Sequence, residues 1–287
     1  MNKIWTIGEL LQWTQHFFEK KEIDSPRLDA EILLAHVLKK ERIYLYAHYD
    51  EPMTAGELDL YRDFVKKRAD RISVAHLLGT TSFMGMNFIV NSDVLIPRPE
   101  TEILVETVLS YEKNPAVHIE ILDIGTGSGA IILSLLSYLT KASGTGVDIS
   151  SAALTVAKKN SEAFKLSERV EWLESDLFAN VSHRSYTWIV SNPPYLTQED
   201  MQSLQPEVRR DPQQALFGGI DGLSYYRRLA GASWQYMTQD GYCAVEIGAG
   251  QCKDVSDIFE AAGHYMIDKI VKDYGDIERI IIFKRKE

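Results

Sequence analysis

The run from Ile119 to Ile124 is mostly apolar and passes directly into Asp123-Ile124-Gly125-Thr126-Gly127-Ser128-Gly129-Ala130. An apolar helical pattern follows from Ile131 to Leu139. The first run reads as a buried strand. Strand, glycine loop and helix, in that order, is the layout of a nucleotide-cofactor site in a doubly wound sheet. Glycines let the backbone approach a ligand closely, and the N-terminus of the helix favours a negative group. A further strand-like run, Gly144-Thr145-Gly146-Val147, ends at Asp148, 19 residues past Gly129. That is the spacing of a carboxylate that binds ribose hydroxyls. Read as G-x-G-x-x-A, the loop equally suits a dinucleotide such as NAD.

Asn192-Pro193-Pro194-Tyr195 follows the apolar run Trp188-Ile189-Val190. The Asn192 side chain offers an amide oxygen that accepts hydrogen bonds. A residue before proline is pushed out of the helical region, so Asn192 is held extended. Two prolines stiffen the backbone and lack N–H donors, which leaves carbonyls free to accept. Tyr195 supplies an aromatic face against which a flat group can lie. An –NH2 group on a planar framework fits such a site. Its two hydrogens would meet two acceptors, and the ring would fix its plane.

These two features together resemble a methyltransferase that uses S-adenosylmethionine. In that class the glycine loop follows the first strand and the ribose acid ends the second. An acidic residue near the end of the third meets the adenine, and the catalytic motif follows the fourth. Val170-Glu171-Trp172-Leu173 reads as the third strand, with Asp176-Leu177 after it. Trp188 to Val190 is the core of the fourth, with Asn192 after it. An NAD dehydrogenase does not require Asn-Pro-Pro-Tyr there.

Several more motifs narrow the resemblance. Val94-Leu95-Ile96-Pro97-Arg98-Pro99-Glu100-Thr101-Glu102 precedes the catalytic region. Phe83-Met84-Gly85 and Phe88-Ile89-Val90 lead into it. Ala215-Leu216-Phe217-Gly218-Gly219, Asp221-Gly222-Leu223, and Glu246-Ile247-Gly248 followed by Gln251 come later. Over nearly the whole chain this is similar to the PrmC/HemK family, the glutamine-N5 methyltransferases that modify peptide chain release factors. The resemblance implies a Rossmann-like α/β sheet of seven strands, with a small N-terminal helical bundle joined by a β-hairpin linker. The domains implied are residues 1–78, helical and partner-recognising; 79–95, the hairpin; and 96–287, catalytic.

It also implies the chemistry and its residues. S-adenosylmethionine supplies the methyl group and leaves as S-adenosylhomocysteine, with no metal. The substrate is the glutamine of a Gly-Gly-Gln motif in class 1 peptide chain release factors. Asn192 and the Pro193 carbonyl would accept the amide hydrogens, with Pro194 and Tyr195 completing the substrate site and Asn192 facing the cofactor as well. Gly125, Thr126, Gly127, Ser128 and Gly129 would shape the loop around the methionine portion. Asp148 would bind the ribose, and Asp176 with the Leu177 backbone would meet the adenine. Two rival readings stay open. Asn-Pro-Pro-Tyr also serves enzymes that methylate adenine N6 or guanine N2 of flipped bases, and an inactive methyltransferase fold could serve as a binding protein.

Charge bears on the first rival. Residues 1–80 carry 12 Lys and Arg against 13 Asp and Glu, and the remainder carries 19 against 28. An acidic catalytic region argues against stable nucleic-acid binding, which leans on cations at phosphates, and suits a basic protein partner. No apolar run is long enough to span a bilayer. The two cysteines, Cys243 and Cys252, do not suggest a disulfide framework, and a cytoplasmic setting is expected.

Residues 1–75 read as helices. Thr6-Ile7-Gly8-Glu9 fits a capping box, followed by apolar Ile7, Leu10, Leu11, Phe17 and Phe18. Ser25-Pro26 offers an N-cap and a first-turn proline, with Leu28, Ile32, Leu33, Ala35, Val37 and Leu38 as the stripe. A later helix is expected from Thr54 to Arg71, its stripe including Leu58, Leu60, Tyr61, Phe64 and Val65. This bundle is either a partner-recognition module or a lid. A short-turn hairpin around Gly85 and Asn87 follows. Beyond the fourth strand, Thr197 to Phe217 forms either a substrate entrance or an ordinary connection. A helix over Gly222–Met237, a strand over Tyr242–Ile247, a helix over Gln251–Ala262, and strands at His264–Val271 and Glu278–Phe283 complete the pattern. The last two strands are close enough for one to be an antiparallel partner.

Overall fold

The computed structural model describes residues 4–114, 117–182 and 184–286. The chain divides into two compact units, Met1–Gly79 and Thr80–Glu287. The first is helical: α1 Ile7–Lys20, α2 Pro26–Leu38, α3 Arg42–Ala47, α4 Ala55–Ala69 and α5 Val74–Leu78. The Thr6 capping box forms, with Glu9 N–H donating to Thr6 Oγ1 and Thr6 N–H to the Glu9 carboxylate. Thr54 and Glu57 repeat it at the start of α4. Ser25 occupies the N-cap position of α2, but its side chain makes no capping bond; Pro26 alone sets that start. Leu28 and Leu60, read as core, are exposed, whereas Leu34 is fully buried. The buried face of α2 runs through Ala30, Leu33, Leu34 and Val37, a spacing that turns Leu28 outward.

The second unit opens with a hairpin, β1 Thr80–Phe83 and β2 Met86–Ile89. Its two-residue turn is Met84-Gly85, both at positive φ, +50° and +72°, the backbone that matches the twist of the strands. Asn87, expected in the turn, lies within β2 opposite Ser82. The elements then run α6 Pro99–Tyr111, β3 Glu120–Ile124, α7 Ala130–Tyr138, β4 Ser143–Asp148, α8 Ser151–Ala163, β5 Val170–Glu174, β6 Tyr186–Ser191, α9 Ser224–Ala232, β7 Met237–Glu246, α10 Cys252–Ala261, β8 Tyr265–Lys272 and β9 Glu278–Arg285. The sheet has seven strands in the order β5-β4-β3-β6-β7-β9-β8. β9 pairs antiparallel with both β7 and β8, while the other pairings are parallel. The expected α/β sheet with an antiparallel partner near its end is therefore present.

Two apolar layers sandwich the sheet. One gathers Ile121, Trp188, Val190, Ala244 and Ile282 under α6 and α7. The other gathers Leu122, Ile189, Cys243, Val245 and Ile281 under α9 and α10. Alternate residues of each strand point to opposite faces, so each strand feeds both layers. The order in which strands are added reverses between β3 and β6, because β4 and β5 lie on one side of β3 and β6 on the other. Ligands of such sheets bind beyond the strand C-termini at that reversal.

The helix expected over Gly222–Met237 is shorter. α9 ends at Ala232, a 3₁₀ turn spans Ser233–Tyr236, and Met237 already belongs to β7. The cause is Tyr265. Its hydroxyl donates to Ala230 O at 3.0 Å and accepts from Trp234 N–H at 2.9 Å. It thus inserts between the two groups whose mutual bond would have continued the helix.

Candidate active site

The loop after β3 is closed by its own backbone. Gly125 and Thr126 N–H both donate to Val147 O, at 2.8 and 2.9 Å. Thr126 Oγ1 donates to Asp123 Oδ2 at 2.6 Å, and Gly129 N–H returns to Thr126 O at 2.8 Å. Gly125 and Gly127 lie at φ +75° and +55°, where a β-carbon is strained although space is open around each. Asn160, on α8, donates to Ser128 O and also exchanges hydrogen bonds with the Ile89 backbone. It joins the hairpin to the glycine loop. Burial pushes the Asp123 carboxyl up to about 7.

Asp148 ends β4. Its Oδ2 accepts from Gly127 N–H at 2.9 Å and its Oδ1 from Ser150 N–H at 2.9 Å. Burial raises its pKa while these N–H groups oppose the rise. A carboxylate offers about four acceptor positions, so each oxygen retains capacity for a hydroxyl. After β5, Ser175 N–H donates to Asp148 O, and Ser175 Oγ donates to Leu177 O at 3.0 Å. Leu177 sits in the left-handed region at φ +52°. Asp176 pairs with Arg228 of α9 at 2.8 Å.

Asn192 follows β6. Its Nδ2 donates to Thr101 Oγ1 of α6 at 3.1 Å. Ser191 Oγ donates to Ile124 O at 2.7 Å, bracing the end of β6 against β3. Gln251 Nε2 donates to Tyr195 O at 3.0 Å, and Gly248 N–H donates to Gln251 Oε1 at 3.0 Å. A β-carbon at Gly218 would stand 2.6 Å from Pro194 O, so the Asn-Pro-Pro-Tyr segment has backbone pressed against it.

A cleft at the strand C-termini is lined by Gly125, Gly127, Asp148, Asp176, Leu177, Asn192, Pro193 and Pro194. A smaller cavity beside it is lined by Arg98, Asn192, Tyr195 and Leu216, among others. Asn192, Leu95 and Ala215 border both. Thr126, Ser128 and Gly129 do not line the cleft; they brace the loop from behind, and both side-chain hydroxyls are buried. Sequence reasoning missed Thr101, Ser175, Tyr225 and Arg228. Tyr225 lies on α9 and lines the cleft, and neither helical spacing nor residue type marked it out. Glu246 had been read as part of a motif without a role. It is buried at the end of β7, and its Oε2 has no partner among the described residues.

The donor set suits an adenosine-bearing cofactor. Val147, Ile149, Ala153 and Leu177 give the cleft apolar walls, and Asp148 and Asp176 stand at separate positions as acceptors. Among the described residues there is no group of His, Cys, Asp and Glu arranged to hold a metal ion, and no helix is long and apolar enough to cross a membrane.

Comparison with known proteins agrees with this geometry. Residues 9–79 match the PrmC N-terminal domain, and residues 99–216 match the methyltransferase small domain. Release factor glutamine methyltransferase of Geobacter sulfurreducens is 39% identical over 280 residues, covering 97% of this chain and 96% of its own. The protein of the same name from Rhodopirellula baltica is 39% identical over 293 residues, covering 98% and 97%. A Thermus thermophilus 16S rRNA N2 G1207 methyltransferase, solved with AdoMet and guanosine, superposes with a TM-score of 0.51. At 17% identity, covering 72% of this chain and 50% of that one, it shows the fold alone. Relatives at this identity over nearly their whole length, together with the match to the PrmC N-terminal domain, make the chain a member of the release factor glutamine methyltransferase family.

Proposed function

We propose that this protein transfers a methyl group from S-adenosylmethionine to the side-chain amide nitrogen (N5) of the glutamine in the Gly-Gly-Gln motif of class 1 peptide chain release factors. The observation that carries the reading is the position of Asn192. It borders the cofactor-sized cleft and the smaller cavity together, and its Nδ2 is engaged by Thr101. The amide oxygen is then the group left to accept.

The cofactor, when bound, supplies a methyl group activated on a sulfonium. Asp148 would hold the ribose hydroxyls, Asp176 and the Leu177 backbone the adenine, and Gly125 and Gly127 would let the main chain come close to the methionine portion. The remaining work falls to placement. A glutamine amide nitrogen is a poor nucleophile because its lone pair is delocalised into the carbonyl. It is also neutral, so no strong base has to prepare it. Asn192 Oδ1 and the Pro193 carbonyl would accept its two hydrogens and aim it. Tyr195 would pack on the amide plane. Orientation of this kind is worth ~7–11 kcal/mol in the best model systems. Acceptors on the –NH2 hydrogens also stabilise positive charge growing on nitrogen. The proton then leaves to water.

The test is mass spectrometry of an unmethylated class 1 release factor after incubation with this protein and S-adenosylmethionine. One added methyl on the Gly-Gly-Gln glutamine is expected. Transfer to bare DNA or RNA, with none to the release factor, would overturn the reading in favour of an amino methyltransferase of bases.

A further inference from the structure

α9 turns different sides to its surroundings. Tyr226, Leu229 and Ala230 are buried in the apolar layer on that side of the sheet. Tyr225 and Arg228 stand three positions apart, so they share another side of the helix. Arg228 reaches Asp176 beyond β5, with Nη2 2.8 Å from Oδ1. Asp176 lines the cleft, and so does Tyr225. One side of α9 is thereby turned to the wall where Asp176 and Leu177 stand.

Among the described residues, Tyr225 is the one aromatic side chain that lines this cleft. Ile149 lines it too and is 58% exposed. An exposed large apolar side chain inside a cleft is surface that a flat apolar group would remove from water. A purine base is flat, apolar on its faces and polar at its edge. Aromatic side chains take such faces by stacking, and a carboxylate takes an exocyclic amino group as an acceptor. The cleft offers both, a ring at Tyr225 and a carboxylate at Asp176. Arg228 engages one oxygen of that carboxylate and leaves the other to accept. The side chains of this ion pair are 47% and 50% exposed, so the pair adds little to the stability of the fold. Its effect is to restrict where the carboxylate points.

We infer that Tyr225 and Arg228 complete the base end of the cofactor site from α9: Tyr225 supplies an aromatic face for the purine, and Arg228 is a positioning residue that holds Asp176 toward the amino group of the base. This rests on the methyl-transfer reading, which puts S-adenosylmethionine in the cleft, and it adds two residues to that site. Neither belongs to the Asn-Pro-Pro-Tyr segment. Both should therefore act on affinity and on the choice of base, and leave the chemical step alone.

The test is calorimetry on the full chain with S-adenosylhomocysteine, which binds without reacting, and with its inosine analogue, which carries a carbonyl where adenine has the amino group. Tyr225→Ala should raise Kd for S-adenosylhomocysteine ~10-fold or more, as loss of one base–aromatic stack does. Tyr225→Phe should keep the unsubstituted affinity. Tyr225→Leu, which keeps apolar bulk without the flat face, should fall between. The same losses should appear for methylthioadenosine, which has the nucleoside but lacks the amino-acid portion. Arg228→Ala should leave affinity for the inosine analogue nearly unchanged and cut the preference for adenine ~10-fold, and Arg228→Lys should restore it. Equal affinities in Tyr225→Ala and Tyr225→Phe would remove Tyr225 from the site, and a base preference untouched by Arg228→Ala would remove Arg228. An unsubstituted protein that binds no S-adenosylhomocysteine would sink the methyl-transfer reading and the inference together. Affinities that follow the variants as stated, in a protein that leaves release factor unmethylated, would keep the inference and sink only the substrate.

Discussion

Asp148 Oδ2 accepts the backbone N–H of Gly127 at 2.9 Å, so the carboxylate at the end of β4 also holds the glycine loop that follows β3. Removing it should release the loop and delete an acceptor for the ribose. Hydrogen bonds to a charged group are worth about 1.5–3 kcal/mol, or ~10–100-fold in Kd. Asp148→Ala should weaken S-adenosylmethionine binding by that factor while turnover at saturating cofactor changes much less. Calorimetric affinity beside saturating kinetics separates the two; equal losses in both would mean that Asp148 acts in the chemical step.

Asn192→Ala should show the opposite split. It removes one positioned acceptor at the reacting nitrogen, and losses of that kind cost ~2–4 kcal/mol in the chemical step. Single-turnover rates on an unmethylated release factor should fall accordingly, with cofactor affinity nearly held. Full activity in this variant would remove Asn192 from the chemistry.

How far these residues were legible follows from how local their signals are. The glycine loop, Asp148 and Asn-Pro-Pro-Tyr stand at the ends of short apolar runs, and their distances along the chain carry the pattern. The α/β sheet was legible for the same reason, as strands and helices alternate, while its count of seven strands came from the family resemblance. Thr101 was not. It meets Asn192 across 91 positions of sequence, and only the placing of β6 beside β7 under α6 brings the two together. Glu246 was visible as part of a motif, but its place beside Asn192 comes from the sheet register. The end of α9 was misread because Tyr265, 31 residues beyond Trp234, supplies the hydroxyl that interrupts it. Leu177 gave no sign of its left-handed backbone, since its residue type does not favour that region; the local bond from Ser175 Oγ to its carbonyl accompanies it.

Packing beneath the site sets a stability prediction. A β-carbon at Gly146 would stand 2.3 Å from Trp172 Cζ3 and 2.6 Å from its Cε3. Overfilling a packed interior costs ~1–3 kcal/mol. Gly146→Ala should lower the unfolding free energy by that amount, seen as a lower urea midpoint with an unchanged slope, and should alter Trp172 fluorescence. Wild-type stability would mean that the indole swings away freely.

Asp123 makes stability depend on pH. Its carboxyl rises from an ordinary 3.8 to about 7 because it is buried in the sheet, despite the Thr126 hydroxyl that opposes this. The folded state therefore binds the proton more tightly than the unfolded state does. Its stabilising contribution is full below the ordinary value and is lost as pH climbs to about 7, since unfolding free energy falls wherever the native state holds more protons. Glu246 is raised to about 7 as well and adds to the same slope. Asp123→Asn should flatten the curve without abolishing it, and unfolding measured from pH 4 to pH 8 shows the difference. A slope unchanged by the substitution would mean that Asp123 is ionised throughout.

Gln251 is tied to Tyr195 alone among the Asn-Pro-Pro-Tyr residues, through Nε2 to the Tyr195 carbonyl at 3.0 Å, while its Oε1 takes the Gly248 N–H. One amide thus satisfies a donor on one side and an acceptor on the other, and fixes where the Tyr195 backbone lies. Gln251→Glu keeps the size and the Gly248 bond but replaces the donor with an acceptor facing a carbonyl. Two acceptors repel, and leaving a half-buried group of this kind unpaired costs about 1 kcal/mol. Tyr195 should shift, and with it the face against which the substrate amide lies. kcat for release-factor methylation should fall ~10-fold or more, because small displacements at a reacting centre are costly. S-adenosylmethionine affinity should hold, because Gln251 is absent from the wall of the cleft. A loss confined to cofactor affinity would show instead that Gln251 supports the fold of the cleft and has no part in placing Tyr195.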